Sequence, residues 1–582
     1  MAIVLYRLSS PETTVREEVA RFIVQGADPA SLQRAVKAAG GEVVDHLAII
    51  DAVVATLDRN GLKRLRDDPA VRRVYADRVL RFSHSEVKTG SPMDDDDSGS
   101  DVDDSLPGLD TAYPGLVDAT RLHGWGITGR NVTIAVVDTG LWAHPAVEYD
   151  HRGNARVPVR YDAIQDREWT DGDASGFVDE SGHGTHVASI AVSSLRGPSG
   201  SYNGIAPGAR LVPVRAFDKH GDGHYVDVIR GLDWILDNRD DHDIRVVNLS
   251  FSADPNSFYW DDPLNQAVMK LWEKGIVVVV SAGNTGPSPM TVGVPGNVPY
   301  VITVGAMTDN YTPADPADDM LASFSSSGPT IEGFVKPEVV APGGHMLATM
   351  DPLSDLADRY PDHVRGLNRD YFSMSGTSQS TAVVTGIVAL MLEVDPFLTP
   401  DEVKCALMRG AMPASDPDGG LAYSVFQQGA GLVNAYTAAF SEVWGECVNI
   451  GLDVEDDRDG TRHFTGPAQM DASGNFVLRE SSYVSSTGSA AWDGELRRGM
   501  GESWSGVYTW NEVFPWSSAY EEVDADGTLP DGTLWVDAYL WFDAYLWFDA
   551  YLWFDAYLWF DAYLWFDAAD ATAGINLWVP AE

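Results

Sequence analysis

The sequence is poor in cysteine, in basic residues and in long apolar runs. Only Cys405 and Cys447 occur among 582 residues, which excludes a disulfide scaffold and a cysteine-based zinc cluster. Whether the two pair or remain thiols stays open. Forty Lys and Arg face 86 Asp and Glu, a formal net charge of −46. Nucleic-acid binding needs a basic surface, so no nucleic-acid partner is expected. No apolar run approaches the roughly 20 residues that span a bilayer, so no membrane span is predicted.

The acidic excess has two interpretations. It keeps a protein soluble at high salt or collects divalent cations, or it is the general acidity of a salt-adapted proteome. The first residues, MAIVLYRLSSPETT, hold neither a basic stretch nor a long apolar core. No secretory signal is therefore recognisable there.

The N-terminal part of the chain has two compositions. A length of 582 residues is too great for one hydrophobic core and predicts about two to four domains. Residues 21–83 alternate short strands and helices in the order β-α-β-β-α-β, ending in the strand VRRVYADRVLRF, which predicts a ferredoxin-like α+β unit. Residues 84–112 include DDDDSGSDVDD and are too poor in apolar residues to fold, which is typical of an acidic linker.

Residues 113–446 alternate buried strands with helices. The runs NVTIAVVD, RLVPVRAF, IRVVNLSF, GIVVVVSAG and YVITVGA are almost continuously apolar, as in a parallel sheet covered on both faces. Helical stretches lie between them, so the segment is predicted to be an α/β fold with a doubly wound, mostly parallel sheet. Ligands bind such sheets at the carboxyl ends of the strands, which makes the residues just after each strand the first candidates.

Residues 447–582 change character and predict a β-rich C-terminal region. Within it, AYLWFD is repeated five times between residues 538 and 567. A period of six equals three pleats of a strand and places Ala, Leu and Phe on one face, whereas a helix would spread them around its axis. A strand or β-solenoid is therefore predicted. The alternative is a recent expansion of a DNA repeat with little structural meaning.

Three residues stand where catalytic groups of such a fold are expected. Asp138 ends the strand NVTIAVVD, His183 lies in SGHGTHVASIA at the start of a helix, and Ser378 lies in SMSGTSQSTAVV, also at a helix start. Each alone is common in caps and turns. Together they supply the orienting carboxylate, the base and the nucleophile of acyl transfer.

The segments around these residues, DTG, GHGTHVA and SGTSQS, resemble the three signature segments of the subtilase family in the family's order. The resemblance covers roughly residues 113–446, and a weaker one to the inhibitory propeptide of subtilases covers residues 21–83. It implies a subtilisin-like serine endopeptidase that acts on proteins or peptides and needs no catalytic cofactor. It also implies a self-processing zymogen whose own propeptide is its intramolecular inhibitor.

The resemblance also implies roles for single residues. Ser378 is the nucleophile, His183 the base that takes its proton, and Asp138 the group that orients His183. Asn284, in SAGN, matches the side-chain donor of the family's oxyanion hole.

Substrate-binding residues follow from the same resemblance. Leu249, Ser250, Phe251 and Ser252 match the edge that pairs with the substrate backbone by strand addition. The other wall of the primary specificity pocket is implied at Ser281, Ala282 and Gly283, with Gly293 near its base. Small residues there predict a pocket for large apolar side chains, and Ser252, where many relatives have Gly, narrows it.

No metal ligand is assigned. The loop SSLRGPSGSYNG, where many subtilases bind calcium, lacks the expected cluster of oxygen ligands. Asp171, Asp173, Asp179 and Glu180 either ligate a cation or form a solvated acidic loop. A structural calcium ion therefore has no assigned site.

Two other functions remain open. One is a pseudo-peptidase scaffold that displays the aromatic C-terminal repeats as a binding surface. The other is an intracellular processing subtilase, which the missing signal would suit. The family resemblance predicts secretion, and a cytoplasmic location stays open.

Overall fold

The computed structural model describes residues 19–26, 28–80, 109–170, 176–316, 319–414, 421–441, 448–449, 451–470, 476–478 and 521–523. The chain divides into two compact units, Met1–Asp77 and Arg78–Glu582. The acidic stretch 84–108 and the AYLWFD repeats lie outside the described residues, so the predictions made for them stay predictions.

The first unit has the element order β-α-β-β-α-β that the sequence predicts. Its elements are β1 (Ala20–Gly26), α1 (Pro29–Ala38), β2 (Glu42–Leu47), β3 (Ala52–Leu57), α2 (Arg59–Arg66) and β4 (Val71–Ala76), with a 3₁₀ turn at Ala48–Ile50. The strands form one antiparallel sheet in the order β2-β3-β1-β4. This is the strand order of the ferredoxin-like arrangement.

Local chemistry accounts for both helices of this unit. Asp28 caps α1 by accepting a hydrogen bond from the amide of Ser31 at 2.8 Å, and Asp58 caps α2 through the amide of Gly61 at 2.6 Å. The apolar face of α1, with Leu32 and Val36, packs against the buried side of the sheet. The unit therefore has a small core of its own.

The last predicted strand of this unit, VRRVYADRVLRF, is not continuous. β4 ends at Ala76, where its pairing with β1 at Phe22 ends. Val79–Leu80 forms a separate strand, β5, within the second unit and pairs with other residues there. The single-strand prediction is wrong because two different partners supply the hydrogen bonds on either side of Asp77 and Arg78.

The second unit contains the remaining elements. In chain order they are β5 (Val79–Leu80), α3 (Tyr113–Leu116), α4 (Ala119–Gly124), β6 (Thr133–Asp138), α5 (Pro145–Glu148), β7 (Val159–Asp162), β8 (Arg167–Thr170), α6 (His183–Val192), β9 (Arg210–Arg215), β10 (Gly223–His224), α7 (Tyr225–His242), β11 (Ile244–Leu249), α8 (Pro263–Glu273), β12 (Val277–Ser281), β13 (Ile302–Thr308), β14 (Met320–Leu321), β15 (Val339–Pro342), β16 (Met346–Thr349), α9 (Asp355–Arg359), a 3₁₀ turn (Pro361–His363), β17 (Val364–Arg365), β18 (Tyr371–Met374), α10 (Thr377–Val394), α11 (Pro400–Gly410), α12 (Val425–Gln428), α13 (Ala435–Ala439), α14 (Val454–Asp459), β19 (His463–Thr465), β20 (Ala468–Met470), β21 (Phe476–Leu478) and β22 (Glu521–Val523).

A mostly parallel sheet dominates this unit, as predicted. Its order is β14-β13-β12-β11-β6-β9-β7-β8, with β15 beside β13. Neighbours from β13 to β7 are parallel, and only β14 and β8 at the ends run antiparallel. The chain adds β9 on one side of β6 and then β11 on the other, so the winding reverses at β6. Open α/β sheets bind ligands at such a reversal.

Helix α10 is the central helix of the fold. It is the one helix among the described residues with the length and hydropathy of a membrane span, and 89% of its 18 residues are buried inside the protein. It packs against β11, β12, β13 and α6. These contacts explain its apolar sequence as that of a core helix.

The segment after residue 446 contributes to the packing of this unit. α14 packs on α8, and Asp457 and His463 are buried, each at most 2% exposed. The predicted boundary at residue 446 stays a prediction, and described residues beyond it, such as Phe464 and Ala468, are buried in the second unit. Cys405 is disulfide-bonded, so the thiol alternative is wrong at that residue.

Candidate active site

Strands β6, β11 and β12 lie side by side and end at the same edge of the sheet. Asp138 is the last residue of β6, Leu249 of β11 and Ser281 of β12. Helices α6 and α10 begin with His183 and Thr377, each after a glycine. Gly182 has a φ of +97°, a conformation that favours glycine and lets the chain turn sharply into α6. The three predicted catalytic residues therefore lie at the edge of the sheet where its winding reverses.

Asp138 and His183 form a buried pair. Oδ1 of Asp138 lies 2.7 Å from Nδ1 of His183, and the two side chains are 1% and 0% exposed. The backbone amide of Thr139 donates to the same Oδ1 at 2.8 Å. This geometry holds the proton of the imidazole on Nδ1 and leaves Nε2 as the basic nitrogen.

Ser378 lies in the first turn of α10 and is tied to the residue after β11. Its hydroxyl donates to the carbonyl oxygen of Ser250 at 3.0 Å, and the hydroxyl of Ser250 donates to the carbonyl oxygen of Ser378 at 3.0 Å. Asn248 donates in turn to the hydroxyl of Ser250 at 2.8 Å. Reciprocal bonds of this kind fix the start of α10 against the edge of the sheet.

Asn284 is also brought to the start of α10. Its Oδ1 accepts hydrogen bonds from the amide and the hydroxyl of Thr377, both at 2.9 Å. With Oδ1 used in this way, the group that the side chain can present to a substrate is the Nδ2 donor. The positive end of the α10 dipole lies at the same place, so the position suits a developing oxyanion.

The predicted walls of the specificity pocket contact one another. The hydroxyl of Ser281 donates to the carbonyl oxygen of Phe251 at 2.9 Å. A Cβ built on Gly293 would lie 2.0 Å from Oγ of Ser252, and one on Gly283, whose φ is +108°, would lie 3.0 Å from it. The side chain of Ser252 therefore lies between two glycines that could carry no larger residue.

Sequence reasoning missed β10 as a pairing edge. The family resemblance implied a pairing edge only at Leu249 to Ser252. In the structure, Leu80 pairs antiparallel with Gly223 and Val79 with His224. The amide of Tyr225 donates to the carbonyl oxygen of Arg78 at 2.9 Å. The glycine-rich GDGHY before α7 was the available signal, because glycines let another backbone approach closely.

His186, the second histidine of GHGTHVA, was also missed. Burial lowers the pKa of His186 to about 3, so its ring is neutral. Its Nε2 donates to the carbonyl oxygens of Met346 and Phe372 at 3.1 and 3.0 Å. Phe372 lies in β18, just before Ser378. His186 therefore fixes the helix of His183 to the strand that leads to Ser378.

The acidic loop before His183 is only partly described. Asp171 and Asp173 lie outside the described residues. Asp179 is 3% exposed, which contradicts a solvated loop at that position, and both of its oxygens accept hydrogen bonds from protein groups. Within the described ranges, no group of three or more His, Cys, Asp or Glu side chains is placed to hold a metal ion.

Comparison with known proteins identifies the family. The model of the subtilase family matches residues 129–431, just over half of the chain, and this range contains all four residues Asp138, His183, Asn284 and Ser378. The chain belongs to the subtilase family. It is accordingly a subtilisin-like serine endopeptidase.

Two curated relatives and one solved structure place this subtilase among its neighbours. Serine protease AprX of Bacillus subtilis is 40% identical over 321 residues, which are 54% of this chain and 67% of the relative. Subtilisin E of the same species is 29% identical over 403 residues, 69% of this chain and 84% of the relative. The structure of fervidolysin from Fervidobacterium pennivorans, described as a keratinolytic enzyme related to subtilisin, aligns with a TM-score of 0.54 at 24% identity. The alignment covers 79% of this chain and 65% of fervidolysin, and it shows the shared fold.

Proposed function

We propose that this subtilase cleaves proteins through an acyl-enzyme formed on Ser378, with His183 as general base and Asp138 as its orienting carboxylate. The observation that carries the proposal is the buried 2.7 Å contact between Asp138 Oδ1 and His183 Nδ1 at the reversal point of the sheet. A paired imidazole of this kind accepts a proton on Nε2 and is stabilised as an imidazolium by the carboxylate.

The nucleophile and the oxyanion donor lie at the start of α10. In the state described here the hydroxyl of Ser378 donates to Ser250, so it must give up that bond before its proton passes to His183. Attack on the substrate carbonyl builds negative charge on its oxygen. We assign Nδ2 of Asn284 and the first turn of α10 to that charge, because fixed donors there are already oriented before the reaction.

We propose a preference for large apolar or aromatic side chains immediately before the cleaved bond. The residues assigned to the pocket, Leu249 to Ser252, Ser281 to Gly283 and Gly293, include no acid to pair with Lys or Arg. The position of Ser252 between Gly283 and Gly293 supports a pocket that is somewhat narrowed. Profiling cleavage sites in a peptide library tests the preference, and a dominant choice of basic residues would contradict it.

We also propose that the chain is a self-processing zymogen in which residues 21–83 are the propeptide. The pairing of Val79–Leu80 with Gly223–His224 supports this, since strand addition at an enzyme's edge is how an extended peptide binds. Leu80 is 2% exposed, as an anchored side chain should be. We place the cleaved bond between Arg81 and Lys88.

Export from the cell is the location we propose, because the charge of −46 suits a salt-rich medium. Assaying the culture medium and the cell fraction separately checks it, and activity confined to the cells would favour intracellular processing.

One experiment tests the central proposal. Purified protein is incubated with casein, with and without a serine-reactive phosphonate, and the modified residue is located by peptide mapping. Loss of hydrolysis with label on Ser378 is the expected result. Label elsewhere, or hydrolysis that persists in Ser378→Ala, would favour another nucleophile. No hydrolysis by the wild-type protein would favour a scaffold.

A further inference from the structure

We propose that the Thr139 hydroxyl and the Asp179 carboxylate together position the imidazole of His183 against Asp138. This inference rests on the proposed roles of Asp138 and His183. Thr139 and Asp179 are positioning residues, because they act through His183 without contacting the substrate. Thr139 directly follows the carboxylate at the end of β6, and Asp179 lies four residues before the histidine at the start of α6.

The first turn of α6 needs outside partners for its amides. The residue that precedes it, Gly182, has no side chain to cap the helix. Asp179 takes over that role. Its Oδ1 accepts from the amide of Gly182 at 2.8 Å, and its Oδ2 accepts from the amide and the hydroxyl of Thr185 at 2.8 and 2.7 Å. A carboxylate at this end also suits the helix dipole.

The carboxylate of Asp179 also contacts the residue that follows Asp138. The hydroxyl of Thr139 donates to Oδ1 of Asp179 at 2.8 Å and accepts from the amide of Gly184 at 2.9 Å. It also lies 3.3 Å from Oδ1 of Asp138. One buried hydroxyl, on a residue 1% exposed, thus contacts both the end of β6 and the start of α6.

A second link joins the two elements further along. The amide of Trp142 donates to the hydroxyl of Thr185 at 2.8 Å, and that hydroxyl donates to Asp179. The chain after Asp138 is therefore attached to the start of α6 at two places, Thr139 to Gly184 and Trp142 to Thr185, and the hydroxyl at each place donates to Asp179. Since Asp138 and His183 are 45 residues apart in sequence, their 2.7 Å contact depends on contacts such as these.

Loss of the Thr139 hydroxyl should misplace the base without removing it. A shift of about 1 Å in a catalytic group costs on the order of 10²-fold in rate. We therefore expect Thr139→Val to lower kcat roughly 10- to 100-fold, with KM for a short peptide changed little. Thr139→Ser keeps the hydroxyl and should restore most of kcat.

The control is Thr133→Val at the first residue of β6. Thr133 is also buried, and its hydroxyl donates to the carbonyl oxygen of His242 at 2.8 Å, at the end of β6 away from Asp138. It should lower the melting temperature about as much as Thr139→Val does while leaving kcat unchanged. Rates are expressed per phosphonate-reactive Ser378, so misfolded molecules are not counted.

A second pair of variants tests the link from the helix side. Thr185→Val removes the other hydroxyl bonded to Asp179, and Thr185→Ser retains it, so the same pattern of loss and rescue is expected. Unchanged kcat in both valine variants would overturn the inference, as would equal losses in Thr139→Ser and Thr139→Val or an equal loss in Thr133→Val. His183→Ala is measured alongside. If it retains activity, the proposed triad fails, whatever Thr139 does.

Discussion

The strand that precedes the catalytic fold and the segment that follows it are attached in different ways. β5 is joined to Gly223–His224 and Tyr225 by backbone pairing. The C-terminal segment is joined by buried side chains. The carboxylate of Asp457 accepts from the hydroxyls of Tyr259 and Tyr300 at 2.6 and 2.7 Å and lies 3.0 Å from Nδ1 of His463.

From this difference we infer that the first attachment is replaceable and the second is permanent. Backbone pairing is available to any extended peptide, so we expect that a substrate can take the place of β5. Opening the network around Asp457 would leave buried hydroxyls and a buried acid without partners, which is costly. Trp260, whose ring stacks on His463 with centroids 4.3 Å apart, closes this network. We infer that β5 can be displaced from the second unit, whereas the C-terminal segment around Asp457 stays bound to it.

The largest expected effect is the loss of peptide hydrolysis, and with it the loss of N-terminal processing, in Ser378→Ala. Ser378→Ala should lower peptide hydrolysis by about 10⁶. It should remain one chain of 63.1 kDa on a denaturing gel, whereas we expect wild type to separate into a small N-terminal piece and a larger enzyme. The matched control is Ser380→Ala, two residues after Ser378. It removes a buried hydroxyl that donates to the carbonyl oxygen of Ala341, and this variant should process normally. Processing of Ser378→Ala with no other protease present would refute the autocatalytic zymogen.

Asn284→Ala should slow both peptide hydrolysis and the proposed self-cleavage. We expect kcat to fall by roughly 10²–10³ with KM little changed, because the amide meets the negative charge only in the transition state; this is the known cost of removing such a donor in a subtilisin. Self-cleavage should slow by a similar factor, while the C-terminal segment is unaffected. An effect on KM alone would place Asn284 in substrate binding instead.

Asp457→Ala should weaken the attachment of the C-terminal segment. Three buried partners lose their acceptor, so we expect the free energy of unfolding to fall by about 3 kcal/mol. Denaturant unfolding, carried out in a Ser378→Ala background to prevent autolysis, measures it. Asp459→Ala, an exposed residue of the same helix, should change stability little. Equal effects of the two substitutions would show that the network contributes nothing specific.

The same attachment should weaken as pH rises. Burial raises the pKa of the Glu332 carboxyl to about 7, and this carboxyl accepts at 2.7 Å from the amide of Tyr259, whose hydroxyl donates to Asp457. The folded protein therefore binds a proton that the unfolded chain, with a carboxyl pKa near 4.5, has released. This stability is present below pH 4.5 and is lost as pH rises through about 7.

Glu332→Gln should remove this part of the pH dependence. Between pH 5 and pH 8 we expect wild type to lose about 2 kcal/mol more stability than the variant. Unfolding at both pH values in the Ser378→Ala background measures the difference. Parallel pH profiles for the two proteins would show that Glu332 does not titrate in this range.

The smallest effect on hydrolysis is expected from changes at the C-terminal end of the chain, beyond the attached segment. Deleting residues 535–582, which include the AYLWFD repeats, should leave hydrolysis of short peptides nearly unchanged, because every assigned residue of the site precedes residue 447. Hydrolysis of an insoluble substrate falls if the repeats bind its surface. Loss of folding on deletion would show instead that the repeats belong to the catalytic core.

Much of the catalytic unit could be predicted because its signals are local. Buried parallel strands are continuous apolar runs, and glycine before a helix marks a sharp turn, so Asp138, His183 and Ser378 could be placed at strand ends and helix starts. The element order of the first unit followed in the same way. The partner of β5 was missed, because an edge of two residues has almost no periodicity and its local signal is limited to the glycines of GDGHY.

The sequence by itself determined which elements form and which side chains have the chemistry for peptide hydrolysis. Periodicity, capping residues and short motifs depend on neighbours a few positions apart. Only the tertiary structure decided how Asp179 joins α6 to β6, and that Asp457 binds Tyr259 across 198 positions of sequence. Both acids could equally have been solvated surface charges. Burial selects between these states, because a buried carboxylate requires hydrogen-bond donors, and those donors come from distant parts of the chain.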